Sequence, residues 1–379
     1  MKKILFINHS ATFGGAQRSL YEYMKLIDKK KFDLYILSPK QSNSLLREFN
    51  FIQFNYIPKL YNTCVGGYKG IRYLLLLREI FYSVLFFFYC IKLKIKYKNF
   101  DLIHFNEITL LPCLVIKIFF KSKISTHLRS GQNMATNTIL TKIFKYFSVK
   151  FFWKIISIDN DIFDGSYSKE KTLVFRNILS SHFREKKIKH KKNNKIFVVT
   201  YVGTLIKSKG IMNLITIAQK LEKFHQIQFH VYGGIPEKNI FFYLSKFFNN
   251  EYLDTSKINI KNIFFFGEKN SLELIYKNSD ITIFCSNLNA IGRPVLEAAT
   301  FKKTSLVFFD KDKSDYIINN KTGFIIKNLN CNLAAQKIVD LYKNKEKRIK
   351  LGQAAYKLIK YNFSKKNFYH FKKEILLKI

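Results

Sequence analysis

The chain has 379 residues, 47% of them hydrophobic and 16% aromatic. That is enough apolar material for two packed cores, and it excludes intrinsic disorder as the main state. Its 65 Lys+Arg against 26 Asp+Glu leave a formal net charge of +39, which points to polyanionic partners: nucleic acid, an anionic membrane or phosphorylated ligands. The simultaneous excess of Lys, Ile, Asn, Phe and Tyr also fits the drift of an AT-rich genome, so charge alone selects no function.

Only four apolar residues separate Met1-Lys2-Lys3 from Asn8-His9. This stretch is too short for a signal peptide and reads as a first buried strand. Short apolar runs then alternate with longer helical ones, the pattern of α/β architecture with parallel sheets. In the first half the strand candidates are Ile4–Ile7, Asp33–Leu37, Leu102–Phe105, Lys123–Thr126, Ile155–Ile158 and Thr172–Phe175, with helices around 16–28, 70–97, 107–120 and 137–152. The most apolar stretch, Ile80–Ile91, is followed by Lys92, Lys94, Lys96 and Lys98 and falls short of the ~20 residues of a spanning helix. It reads either as a core helix or as a helix lying in a membrane interface with its basic end on headgroups.

Residues 183–195 hold seven Lys/Arg and almost nothing apolar, and read as a solvated linker. Beyond it the alternation restarts, with strands expected at Ile196–Val202, Gln228–Tyr232, Asn262–Phe266, Ile281–Phe284, Ser305–Phe309 and Gly323–Ile326. Helices are expected near 210–224, 271–278, 294–302 and 332–343. The basic stretch 346–379 is helical, with Ser364 as a candidate N-cap. The expected organisation is an N-terminal domain 1–182, the linker, a C-terminal domain 196–360, and a helix over 361–379 packing back on the first domain. Cys64, Cys90, Cys113, Cys285 and Cys331 form no CxxC pair, which fits a reduced cytosolic setting and gives a disulfide framework or zinc site no support.

Three segments carry candidate chemistry. Gly14 and Gly15 lie between the first strand and the first helix, where backbone N–H groups approach an anion with help from the helix dipole. The order is not GxGxxG, and no acidic residue follows at the distance of a ribose contact, so a dinucleotide site is not expected. The second domain opens with Gly203-Thr204-Leu205-Ile206-Lys207-Ser208-Lys209-Gly210, in which Gly203 allows close backbone approach and Lys207 and Lys209 place cations beside a helix start. This suits a diphosphate but is not a Walker A loop. In Asn289-Ala290-Ile291-Gly292-Arg293-Pro294-Val295-Leu296-Glu297, Pro294 near N1 starts a helix and Glu297 is expected in its first turn, a rare acid placed to grip hydroxyls.

In this order the motifs resemble those of retaining GT-B glycosyltransferases of family 4. GGAQRSL at 14–20 is similar to the family's GGAER-type loop, VGTLIKSKG at 202–210 to its VGRLxxxKG loop, and NAIGRPVLEA at 289–298 to its EGFGxxxxEA element; IHFNEITLL, ISTHLRS and KTGFII fall where comparable segments do. The resemblance covers nearly the whole chain and implies two Rossmann-like doubly wound domains facing across a cleft. It also implies that Gly14 and Gly15 meet the donor phosphates, Lys209 neutralises the diphosphate, Glu297 binds the ribose hydroxyls, and His127 lines the sugar site. His104 reads as structural. Thr204 stands where the family has Arg, with Lys207 or Arg293 as the candidate substitute. Asn289 replaces the first Glu of the family's pair, and an amide supplies no negative charge beside a developing oxocarbenium ion. Lys302 stands where a Gly commonly follows.

The implied activity is metal-independent, retaining transfer from a UDP- or GDP-sugar, without a cofactor, to a glycan or lipid-linked acceptor in cell-surface polysaccharide synthesis such as lipopolysaccharide or capsule. The expected location is cytoplasmic and peripheral on the inner membrane face, against anionic lipid. No DxD element is placed for a divalent ion; Asp310-Lys311-Asp312 reads as a turn. A catalytically silent sugar-nucleotide binder or scaffold of the same fold is the alternative. A nucleic-acid partner is not expected, because RNA-binding aromatic motifs and zinc fingers are lacking and the basic residues are spread along the chain.

Overall fold

The computed structural model describes residues 1–11, 14–40, 44–60, 73–129, 139–162, 167–178, 196–234, 258–269, 271–288, 290–364 and 366–379. The linker 183–195, Asn289 and Cys64 lie outside these residues. The chain divides into two compact units, Met1–Leu179 with Phe363–Ile379, and Ser180–Asn362.

The first unit is built on a seven-stranded parallel sheet in the order β3-β2-β1-β4-β5-β6-β7. Its strands are β1 (Lys2–Ile7), β2 (Phe32–Ser38), β3 (Asn50–Gln53), β4 (Leu102–Phe105), β5 (Lys123–Leu128), β6 (Lys154–Ser157) and β7 (Thr172–Val174). Every residue of β4 is buried, as expected of a central parallel strand covered on both faces. The edge strand β3 escaped the sequence reading because only Ile52 of its four residues is buried, so it carries no apolar run.

Helix α1 (Gly15–Leu26) covers one face together with the returning C-terminal helix. The other face takes α2 (Tyr73–Tyr97), a 3₁₀ segment (Ile108–Ile118) and α3 (Ile139–Phe151). The segment expected as a helix over 107–120 is 3₁₀ and contains Pro112, which lacks the N–H an α-helical ladder needs. The Ile80–Ile91 stretch is the middle of a 25-residue helix. It is neither short nor a core helix: Glu79, Phe86, Cys90 and Leu93 are its buried residues, on one stripe.

The second unit has a six-stranded parallel sheet in the order β10-β9-β8-β11-β12-β13. These are β8 (Phe197–Val202), β9 (Ile227–Tyr232), β10 (Ile263–Phe265), β11 (Ile281–Phe284), β12 (Thr304–Phe308) and β13 (Gly323–Ile326). Among its described residues the helices are α4 (Ile211–Lys220), α5 (Leu272–Tyr276), α6 (Arg293–Thr300), α7 (Cys331–Lys343) and α8 (Lys345–Asn362). Helix α9 (Lys366–Glu374) belongs to the first unit, where Phe371 lies 5.4 Å, ring to ring, from Tyr23 of α1.

Candidate functional site

Each sheet reverses its strand order once, between β1 and β4 in the first unit and between β8 and β11 in the second. Ligands of doubly wound sheets bind beyond the C-terminal strand ends at such a point. The three motifs singled out above follow β1, β8 and β11, so they fall at these two positions.

In the second unit the loops after β8 and β11 are tied together. Ser286 Oγ and Asn287 N donate to the Ser208 carbonyl at 3.0 and 3.2 Å, Asn287 Nδ2 donates to the Lys207 carbonyl at 3.0 Å, and Asn213 Nδ2 donates to the Cys285 carbonyl at 2.8 Å. Gly210 sits at φ +83°, and a Cβ there would lie 1.7 Å from the Cys285 carbonyl oxygen. Both the turn and the close approach therefore require glycine.

Within this braced loop Lys207 is exposed while Lys209 is partly buried. Burial lowers the Lys209 ammonium below the ordinary lysine pKa, and among the described residues no carboxylate compensates it. Tyr201 Oη donates to its carbonyl at 3.0 Å, fixing the backbone of the loop. A desolvated cation on a rigid loop at a helix start is suited to an incoming anion. Thr204 and Gly203 lie on the same loop, where Gly203 N–H donates to the Tyr232 carbonyl at 3.0 Å.

Helix α6 begins one residue earlier than the sequence suggested. Arg293 is its first residue and Pro294 its second, so Glu297 lies in the second turn and not the first. Four residues apart on one face, Arg293 Nε donates to Glu297 Oε1 at 2.9 Å, with both side chains under a tenth exposed. Tyr276 Oη donates to Glu297 Oε2 at 3.3 Å. Arg293 thus answers Glu297 directly, a partnership that sequence reading missed although the i,i+4 spacing signals it. Gly292 precedes the helix with no room for a side chain, a Cβ lying 2.6 Å from the Phe284 ring. Asp312 meets Lys327 at 2.6 Å on the surface. Among the described residues no group of three His, Cys, Asp or Glu is placed to hold a metal.

In the first unit Gly14 is the N-cap of α1, and its N–H donates to Gln17 Oε1 at 3.2 Å. Gln17 Nε2 in turn donates to Asn8 Oδ1 at 2.9 Å, and Asn106 Nδ2 donates to the same oxygen at 3.2 Å. Gly15, the first residue of α1, is therefore anchored through buried amides to the ends of β1 and β4. Arg129 Nε donates to the Asn106 carbonyl and Oδ1 at 2.8 and 2.9 Å.

Beneath this lies a buried pair of imidazoles. His104 pairs in register with Ser125, and its Nδ1 lies 2.8 Å from Ser125 Oγ; its Nε2 lies 2.6 Å from His127 Nδ1. The Tyr23 ring stands 5.4 Å from His127. Burial, reinforced by Arg129, lowers His104 to about 3 and His127 well below the usual histidine range, so both are neutral. With one proton in the link, His127 Nε2 is a donor or an acceptor according to how Ser125 points. This buried nitrogen has no hydrogen-bond partner among the described residues. His104 is thus structural and also sets the tautomer of His127, which one histidine read alone does not reveal.

The pair has a consequence for acid stability. The folded pKa values lie below the unfolded ones, so the unfolded chain binds more protons between about pH 6.5 and 3, and stability falls as pH drops through that window. Each histidine contributes up to ~1.4 kcal/mol per pH unit. Calorimetric melting is expected to weaken steeply below pH 6 and to flatten in His104→Gln; a wild-type melting temperature constant from pH 7 to 4 contradicts the assignment.

Residues 182–358 match the family Glycosyl transferases group 1. Over 169 residues the chain is 27% identical to a poly(ribitol-phosphate) alpha-N-acetylglucosaminyltransferase of Staphylococcus aureus strain COL, covering 44% of this chain and 32% of that protein. Over 176 residues it is 25% identical to the S. aureus capsular polysaccharide biosynthesis glycosyltransferase CapM, covering 46% of this chain and 44% of that one. The chain therefore spans less than half the length of either curated relative. The structure of Anabaena HepE in complex with UDP and glucose superposes over 100% of both chains with a TM-score of 0.73 at 14% identity, which shows a common GT-B fold.

Proposed function

We propose, from the match of residues 182–358 to the family Glycosyl transferases group 1, that the chain transfers a sugar from a nucleoside-diphosphate sugar to a glycan acceptor. The observation that carries the reading is Lys209, a partly buried ammonium with no carboxylate beside it among the described residues, held on the loop at the switch point of the second sheet. A diphosphate supplies the missing counter-charge.

In this reading Lys209 and the Thr204 N–H stabilise the leaving diphosphate, Gly203 holds the loop to β9 through its own N–H, and Lys207 adds an outer cation. Glu297, fixed by Arg293 and Tyr276, binds the ribose hydroxyls, with Gly292 keeping the helix start open. Gly15 presents its backbone N–H at the start of α1 to phosphate, while the Gly14 N–H, expected from the sequence as a second donor, is taken by Gln17. His127 Nε2 bonds a sugar hydroxyl. The acceptor oxygen forms its bond to the anomeric carbon as the bond from that carbon to the phosphate oxygen breaks. The acceptor proton passes to the departing phosphate on the same face, so configuration is retained. The donor is a UDP- or GDP-sugar, and the product belongs to cell-surface polysaccharide. UDP with glucose in the Anabaena relative and the capsule assignment of CapM support this direction.

The test is thermal melting against a panel of nucleoside diphosphates, followed by transfer from UDP- and GDP-sugars on membrane extract. One nucleotide is expected to raise the melting temperature, and its sugar to be transferred. No stabilisation by any nucleotide refutes the donor site, and binding without transfer identifies a silent member.

A further inference from the structure

Helix α2 carries two apolar stripes at helical spacing. One, Phe86, Cys90 and Leu93, is buried against the first sheet with the charged Glu79 at its N-terminal end. The other, Leu77, Phe81, Val84, Phe88, Ile91 and Ile95, faces out; Leu77 is 62%, Phe88 59% and Ile95 76% exposed. The 3₁₀ segment packs against both α2 and α3; it exposes Ile118, 70% accessible, and α3 exposes Tyr146 and Phe147. Single exposed hydrophobics are ordinary, but a stripe along ~27 Å of helix marks an interaction surface.

What covers it follows from charge. These three elements hold eight Lys/Arg and one carboxylate, the buried Glu79. Lys92, Lys96, Lys117, Lys142 and Lys145 are exposed around the apolar face. A second copy, itself at +39, is repelled. The stripe offers no polar group to a protein partner, whereas acyl chains below and headgroup phosphates around it match both features. Spanning is disfavoured because Glu79 is built into the unit: it accepts from Lys59 N at 2.8 Å and pairs with Arg78.

We propose that α2, with the 3₁₀ segment and α3, seats the first unit on an anionic membrane, the helix lying in the interface with its outer stripe among the acyl chains. This inference stands apart from sugar transfer and needs no donor.

The experiment is flotation of the full chain with vesicles of phosphatidylglycerol and phosphatidylcholine, or of phosphatidylcholine alone. Strong flotation on the anionic vesicles is expected, reduced on neutral ones and in high salt. Leu77→Ser, Phe81→Ser and Phe88→Ser together should cut binding at least 10-fold with an unchanged melting temperature. Tyr361→Ser with Tyr369→Ser, exposed elsewhere, should leave binding unchanged. Failure to float on either vesicle, or a triple variant that floats like wild type, overturns the proposal. So does resistance to alkaline carbonate extraction, which indicates a span, or a dimer that the triple variant dissociates, which indicates a second copy.

Discussion

Lys209→Met is expected to weaken nucleoside-diphosphate binding by about 10–100-fold while leaving the fold intact, since a charge-assisted hydrogen bond contributes roughly 1.5–3 kcal/mol. The sign of the accompanying stability change is what makes the variant diagnostic. Burial lowers the lysine pKa in the folded state, so holding the charge there costs folding energy in the absence of ligand. Between the lowered pKa and the ordinary one the unfolded chain binds more protons, so the cost is full below that window and disappears as pH rises through it. Removing the charge should raise the ligand-free melting temperature at pH 7 and abolish the further rise given by nucleotide. Calorimetry with and without UDP or GDP reads both effects. A variant that melts lower than wild type and still responds to nucleotide refutes Lys209 as the diphosphate ligand.

The second large effect is expected at Glu297. Glu297→Ala leaves the Arg293 guanidinium, under a tenth exposed, without the carboxylate four residues away, a one-sided loss that costs about 3 kcal/mol or more. The double variant Arg293→Met with Glu297→Met replaces the pair by apolar groups and should recover most of that stability. It should not recover nucleotide binding, because the group proposed for the ribose hydroxyls is gone. Urea unfolding and nucleotide titration of both variants separate the two roles. If Glu297→Ala unfolds like wild type, the pair is not a structural element; if the double variant binds nucleotide normally, Glu297 does not hold the ribose.

These two residues also show how far the sequence could be read. The backbone setting of Lys209, in a loop between a strand end and a helix start, was legible because a few residues determine it; Glu297 was legible as a helix residue but was expected one turn too early. Apart from the edge strand β3, the strands were legible within a residue or two, because a parallel strand buried on both faces is a continuous apolar run, as in Leu102–Phe105. What depends on distant partners was not legible. Arg293 read as a candidate substitute for the cation missing at Thr204, and only the start of α6 at Arg293 makes it the partner of Glu297. His104 read as structural alone, and only the pairing of β4 with β5 puts its Nε2 on His127. In α2 the apolar residues are too numerous to distinguish a buried stripe from an exposed one, and the choice between core and interface needed the sheet in place.

The return of residues Phe363–Ile379 to the first unit has a consequence for synthesis. Tyr23, Phe175 and Phe371 close one aromatic cluster, and the last of them is translated after the whole of Ser180–Asn362. At roughly 5–20 residues per second, the early half waits on the order of ten seconds with the seat of α9 open, while the later half completes itself. A nascent chain stalled before Phe363 should therefore carry a protease-resistant second unit and a first unit that recruits chaperones, an order of maturation opposite to the order of translation.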